Sequence, residues 1–193
     1  MPDTLTLDPL TTALVVIDLQ QGILARDTTP HDKKDVVDRA AKLAAACRKA
    51  GATVVLVNVG FSEDEKDKLT PPVDSPNPPG RTPPGFSDLV PALDAAPSDL
   101  RVTKRQWGAF YGTMLDQQLR RRGIRTIILC GVATNVGVES TARDAWEHGY
   151  HLVFAEDAMA SLAPGTHEHT MKVTFPRIGR VRRTSDILAA LPA

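Results

Sequence analysis

The chain has 193 residues, the size of one domain with a sizeable core. Its 23 basic and 23 acidic residues cancel to a net charge of zero without any block of like charge, which argues against a nucleic-acid partner. No apolar run approaches the roughly 18 to 20 residues of a membrane span, and the start MPDTLTLDPL lacks a signal-peptide layout, so the expected location is the cytoplasm with no membrane partner.

In chain order, TALVVIDLQ (Thr12 to Gln20) opens as a short, continuously apolar strand of the kind buried on both faces of a parallel sheet. Val36, Ala40, Leu43, Ala44 and Cys47 then recur at helical spacing, with Gly51 as the C-cap. TVVLVNVG (Thr53 to Gly60) is the second strand. The segment Leu69 to Pro91 carries over half of the 15 prolines and little periodicity, so it reads as a long, stiff loop, either a surface or oligomer contact or a lid over the site. Within it, Arg81 is a candidate anion clamp. RVTK (Arg101 to Lys104) is a weaker strand. Leu115 and Leu119 share one helix face, and the basic RRR before Gly123 suits that helix's C-terminus. TIILCGV (Thr126 to Val132) and HLVFA (His151 to Ala155) are again strand-like. IGRVR (Ile178 to Arg182) and a last helix, TSDILAAL, capped by Thr184 or Ser185, complete the series. This alternation predicts a single-domain α/β fold, a doubly wound six-stranded parallel sheet with helices on both faces.

Open parallel sheets bind ligands at the carboxyl ends of their strands. There the first strand ends in Asp18, a carboxylate set into a hydrophobic run, which is costly unless paired or functional. The third ends in Lys104, and the fourth runs into GVATNVGVES, where a strand-to-helix turn places Gly137. An acid and a lysine at neighbouring strand ends pair and tune one another. Taken singly, Asp18 also fits a helix start and Lys104 a solvated surface. Trp107, Phe110 and Tyr111, close behind Lys104 in a chain with 5% aromatics, are candidates to line a pocket for a flat substrate; Phe110 in the core and Trp107 at an interface is the alternative. Asn135 is read as a cap of the following helix or a ligand contact. Arg143 and Asp144, adjacent on that helix, suit salt bridges. Cys47 and Cys130 form no metal-type CxxC pattern and read as small buried hydrophobes.

ALVVIDLQQG, the lysine ahead of WGAFYGT, and LCGVATNVGVESTARDAWEHGY followed by AEDA resemble, in order and spacing, the isochorismatase-like (cysteine hydrolase) superfamily over essentially the whole chain. The resemblance implies the six-stranded fold, an Asp18–Lys104 catalytic pair, a non-proline cis peptide at Ala133 that aims backbone N–H groups into the site, a small-molecule substrate, no cofactor, and a homodimer or homotetramer. Relatives that cleave amides carry a nucleophilic cysteine, and the position matching it is Gly137. The thiolate route is therefore closed, and Cys130, seven positions earlier and before the turn, does not replace it. NVGFSEDEK, after the second strand, lacks the Asp and His ligands of the nicotinamidase metal site, so no metal is expected.

True isochorismatases are similar to this chain in carrying glycine at that turn, and their vinyl ether hydrolysis needs an acid and water only. Three readings follow. The first is general-acid hydrolysis of a small carboxylated metabolite by Asp18, with Lys104 also holding substrate charge. The second is a C–N hydrolase whose water is activated directly by the pair. The third is an inactive member that binds a metabolite or partner.

Overall fold

The computed structural model describes residues 4–76 and 80–192; residues 77–79 of the proline-rich segment lie outside the described residues. Six strands form one sheet: β1 (Thr12–Ile17), β2 (Thr53–Val59), β3 (Leu100–Lys104), β4 (Thr126–Val132), β5 (His151–Ala160) and β6 (Arg180–Arg182). Their order is β3-β2-β1-β4-β5-β6, and every neighbouring pair is parallel. From β1 the chain winds outward to β2 and β3, then returns to β4 beside β1 and winds the other way. The order therefore reverses between β1 and β4, and the crevice above their carboxyl ends is the position at which this architecture binds ligands.

The described helices are α1 (Gln21–Leu24), α2 (Lys33–Ala50), α3 (Leu115–Arg121), α4 (Glu139–Glu147), α5 (Thr166–His169), α6 (Phe175–Ile178) and α7 (Thr184–Ala190). Alternation along β1 splits the core into two layers. Leu14 and Val16 pack with Leu43, Ala44 and Cys47 of α2 and Ile187 of α7, while Ala13, Val15 and Ile17 pack with Leu115 and Leu119 of α3 and Ala142 and Ala145 of α4. A strand buried on both faces is apolar at nearly every position, which is why β1 reads as an unbroken hydrophobic run from Ala13 to Ile17 after Thr12.

The helix α2 starts at Asp32, whose carboxylate accepts from the Lys34 N–H, and stops at Gly51 in the left-handed conformation, as expected from its sequence. Two boundaries differ from the sequence reading. Neither Thr184 nor Ser185 is the N-cap of α7; that position falls to Arg183, while Thr184 sits in the first turn, its N–H and hydroxyl both donating to Asp157. The strand β5 does not stop at Ala155 but continues to Ala160 through an irregularity opposite Leu129 and Gly131 of β4. Glu156 and Asp157 interrupt its apolar pattern because the bulged strand turns both side chains sideways, into polar contacts outside the core.

Gly131 marks the tightest approach between β4 and β1. Its φ of +121° is hard for an L side chain, and a Cβ there would lie 2.0 Å from the Ile17 carbonyl oxygen. The closeness of the two backbones keeps the ends of β1 and β4 together at the switch point.

Candidate active site

Asp18 follows the last residue of β1, with φ at 52° and its N–H donating to the Val57 carbonyl. The left-handed turn takes the side chain out of the alternation of the strand. Lys104 ends β3, two positions from β1 in the sheet, and its stem crosses the end of β2 so that Nζ lies 2.8 Å from Asp18 Oδ2. Both groups are buried, Asp18 5% exposed and Lys104 2%. Lys104 Nζ also donates to the Trp107 carbonyl. Asp18 Oδ1 is buried with no hydrogen-bond partner among the described residues.

Gly137 closes the third side. It lies in the widened helical turn Thr134–Val138 between β4 and α4, and a Cβ built on it would sit 2.9 Å from Asp18 Oδ2 and 3.2 Å from Lys104 Nζ. The sheet thus brings Asp18, Lys104 and Gly137 to one point, and the ion pair occupies the space that a side chain at residue 137 would need. Sequence reasoning left open whether burial or Lys104 governs the Asp18 carboxyl. Burial has the larger effect: it pushes the Asp18 pKa up to about 6, against the opposing pull of the Lys104 charge and hydrogen bond.

The remaining sequence candidates divide. Ala133 is buried and follows a cis peptide bond after Val132, and its carbonyl accepts from the N–H groups of Val136 and Val138, which shapes the turn. Trp107 lies beside the pair through its backbone, while its side chain is 67% exposed; Tyr111 is 79% exposed. Phe110 is a core residue, its ring packed on Tyr150 and His148, so a place in the pocket wall gives way to its packing alternative. Asn135 makes no helix cap; its Oδ1 accepts from the Ser161 hydroxyl, tying the turn to the segment after β5. Arg81 donates to the Glu63 carbonyl on an exposed surface. Arg143 pairs with Glu139 one turn earlier in α4. Both thiols are free and buried in the layer under α2, and burial raises the pKa of Cys47 to about 12 and pushes the Cys130 thiol up still further. Neither furnishes a thiolate near neutral pH.

Residues that the sequence reading passed over hold the site in place. Gln20 is fully buried; its Nε2 donates to the carbonyls of Val59 and Phe86 and its Oε1 accepts from the Val59 N–H. This one side chain joins the ends of β1 and β2 to the proline-rich segment, whose Phe86 to Val90 stretch docks through backbone bonds to Leu19, Gln21 and Gly22. Thr141 donates to the Gly137 carbonyl and accepts from the Ala109 N–H, linking the glycine turn to the loop after Lys104. An uncharged glutamine closely following an acid in VVIDLQ was a legible signal, since a buried amide demands partners on every polar atom; Thr141, beside Ser140 one of two hydroxyls in α4, was not.

The isochorismatase domain pattern matches residues 12–186, which take in every strand of the sheet. The chain belongs to the isochorismatase family. It is 53% identical over 187 residues to the isochorismatase family protein YecD of Escherichia coli O157:H7, covering 97% of this chain and 100% of that one. It is 33% identical over 188 residues to a ureidoacrylate amidohydrolase, RutB, of Methylorubrum extorquens, covering 84% of this chain and 75% of that one. Among solved structures, an isochorismatase family protein from Burkholderia thailandensis superimposes with a TM-score of 0.93 at 43% identity, over 98% of this chain and 99% of that one. The six-stranded parallel architecture is that of the family's hydrolases. No described helix of this isochorismatase-family chain is long and apolar enough to cross a membrane.

Proposed function

We propose that this chain hydrolyses a small carboxylated metabolite of the vinyl ether type, with Asp18 as general acid, water as nucleophile and no covalent intermediate. The observation that carries this reading is the asymmetry of the Asp18 carboxyl: Oδ2 is held by Lys104 at 2.8 Å, while Oδ1 is buried without a partner and the pKa stands near 6. The salt bridge leaves Oδ1 as the oxygen that carries the proton. Protonation of the enol ether carbon by Oδ1 breaks its double bond and forms an oxocarbenium ion. Water adds to that ion and loses a proton, and the resulting hemiketal splits into pyruvate and an alcohol. The carboxylate left on Asp18 is stabilised by Lys104 and regains its proton from solvent or from the attacking water.

Gly137 fits this chemistry, because a side chain there would press on both members of the pair. Lys104 adds positive charge for a carboxylated substrate. The test is pyruvate release from isochorismate and from small carboxylated enol ethers. Wild type releases pyruvate and Asp18→Asn does not; release by both would remove Asp18 from the chemistry.

A second reading, hydrolysis of a C–N bond by water activated at the same pair, is favoured by the similarity to ureidoacrylate amidohydrolase over 84% of this chain. It requires Asp18 as a base, so its rate would rise with pH where the first reading predicts a fall. We further propose that the chain assembles as a homodimer or homotetramer in the cytoplasm, covering exposed aromatic side chains such as Trp107, Tyr111 and Trp146.

A further inference from the structure

Three chain segments far apart in sequence converge behind the glycine turn. His31 lies between α1 and α2, Glu156 in the bulge of β5, and His167 in α5. The Glu156 Oε1 atom is 3.4 Å from His31 Nε2 and 3.9 Å from His167 Nε2, and one ligand atom from each residue can be chosen so that all lie within 4.8 Å of one another. We propose that His31, Glu156 and His167 form a binding site for one divalent transition metal ion, with zinc the best chemical match, seated against the turn that carries Gly137.

Several independent features support a built site. His167 is 2% exposed, and its Nε2, 3.9 Å from Glu156 Oε1, has no hydrogen-bond partner among the described residues. A buried ring nitrogen of that kind is costly unless something binds it. The other ring nitrogen, Nδ1, lies 2.8 Å from the Thr134 hydroxyl. With the proton on Nδ1, donated to the Thr134 hydroxyl, the ring is fixed and the Nε2 lone pair is left for a metal, the arrangement that outer partners impose on ligating histidines.

The segment bearing His31 is anchored beside the others, since Thr29 and Ser161 exchange both backbone hydrogen bonds, at 2.9 and 2.8 Å. Two imidazoles and one carboxylate make a donor set suited to zinc and its neighbours and poorly suited to calcium or magnesium, which take mostly oxygen ligands. Metal–ligand bonds of about 2.0 to 2.2 Å in tetrahedral geometry separate the ligands by roughly 3.3 to 3.6 Å, close to the spacings around Glu156. His31 and Glu156 are half-buried, so the ion would enter from their side and keep an open position there. None of its three residues belongs to the Asp18–Lys104 pair, and the two sites meet at the Thr134–Val138 turn, which carries both Gly137 and the Thr134 partner of His167.

The experiment is titration of chelator-treated protein with cobalt(II), read by visible d–d absorption, followed by zinc displacement and by thermal unfolding with and without zinc. Wild type binds one cobalt per chain, zinc displaces it, and zinc raises the unfolding midpoint. His31→Asn and Glu156→Gln each weaken binding by at least about tenfold, and Thr134→Val, which frees the His167 ring, by about 10- to 100-fold. His151→Asn, at an exposed position outside the cluster, binds as wild type does. Because His167 is buried, the half-buried His31 and Glu156 are the deciding positions. No stoichiometric cobalt band, or His31→Asn and Glu156→Gln binding as tightly as wild type, would overturn the site.

Discussion

Asp18 is held between two opposing effects, and their balance sets a pH dependence. Burial raises its pKa and Lys104 lowers it, with burial the larger, so the carboxyl titrates near 6 where an exposed aspartate is already ionised. A general acid works in its protonated form. The rate of vinyl ether cleavage is therefore greatest below that pKa and falls as pH rises through about 6, in a pH profile of kcat/KM. Lys104→Met removes the effect that lowers the pKa, so in that variant the falling limb moves to higher pH. A limb that stayed in place would mean that the ion pair does not tune Asp18. Gly137→Ala tests the third member: its Cβ would lie 2.9 Å from Asp18 Oδ2, so the pair must shift, and we expect reduced turnover with a stability loss of about 1 to 3 kcal/mol in denaturant unfolding. The acid, the lysine and the glycine were legible from their places at strand ends. The direction of the Asp18 shift was not, because it depends on how completely the surrounding chain excludes water from a carboxyl that Lys104 also touches.

At the scale of elements, β1 and β4 set the geometry and β5 shows where pattern reading fails. Apolar continuity identified β1, β2 and β4, because the central stretches of strands buried on both faces, Ala13 to Ile17, Val54 to Val57 and Ile127 to Cys130, carry no charged or amide side chain. In β5 the pair Glu156–Asp157 looked like a strand end, yet the strand continues past it, using a bulge to send Glu156 toward His31 and His167 and Asp157 toward Thr184 and Arg39. A bulge depends on register with the neighbouring strand, which a single segment does not encode. The convergence of His31, Glu156 and His167 was hidden for the same reason. Gly131→Ala is the sharpest test of the β1–β4 approach. With the Ile17 carbonyl 2.0 Å from the new Cβ and φ at +121°, the destabilisation should exceed the ~1 kcal/mol typical of single substitutions, measured by thermal or urea unfolding. A variant as stable as wild type would mean that the two strands separate more readily than their packing implies.

Over the whole molecule, the strand order β3-β2-β1-β4-β5-β6 makes the site a property of topology. The order reverses between β1 and β4, and Asp18 after β1, Lys104 at the end of β3 and Gly137 in the turn after β4 meet there. The fold class was legible from β-α alternation and the family from its motifs. The proline-rich segment was legible only as a loop; its docking through Phe86 to Val90 depends on Gln20, whose partners lie 39 and 66 positions away in the chain. Assembly is tested by light scattering on the eluting protein, where a dimer or tetramer is expected and a strict monomer would leave Trp107, Tyr111 and Trp146 as solvent-facing side chains. The central claim is that Asp18 protonates a substrate beside a turn that holds no nucleophile. It is tested most directly by measuring pyruvate released from isochorismate and simpler carboxylated enol ethers by wild type and Asp18→Asn at pH values on either side of 6. The account predicts turnover by wild type that declines above that pH and is lost in Asp18→Asn; turnover that rises with pH, or that survives in the variant, would contradict it.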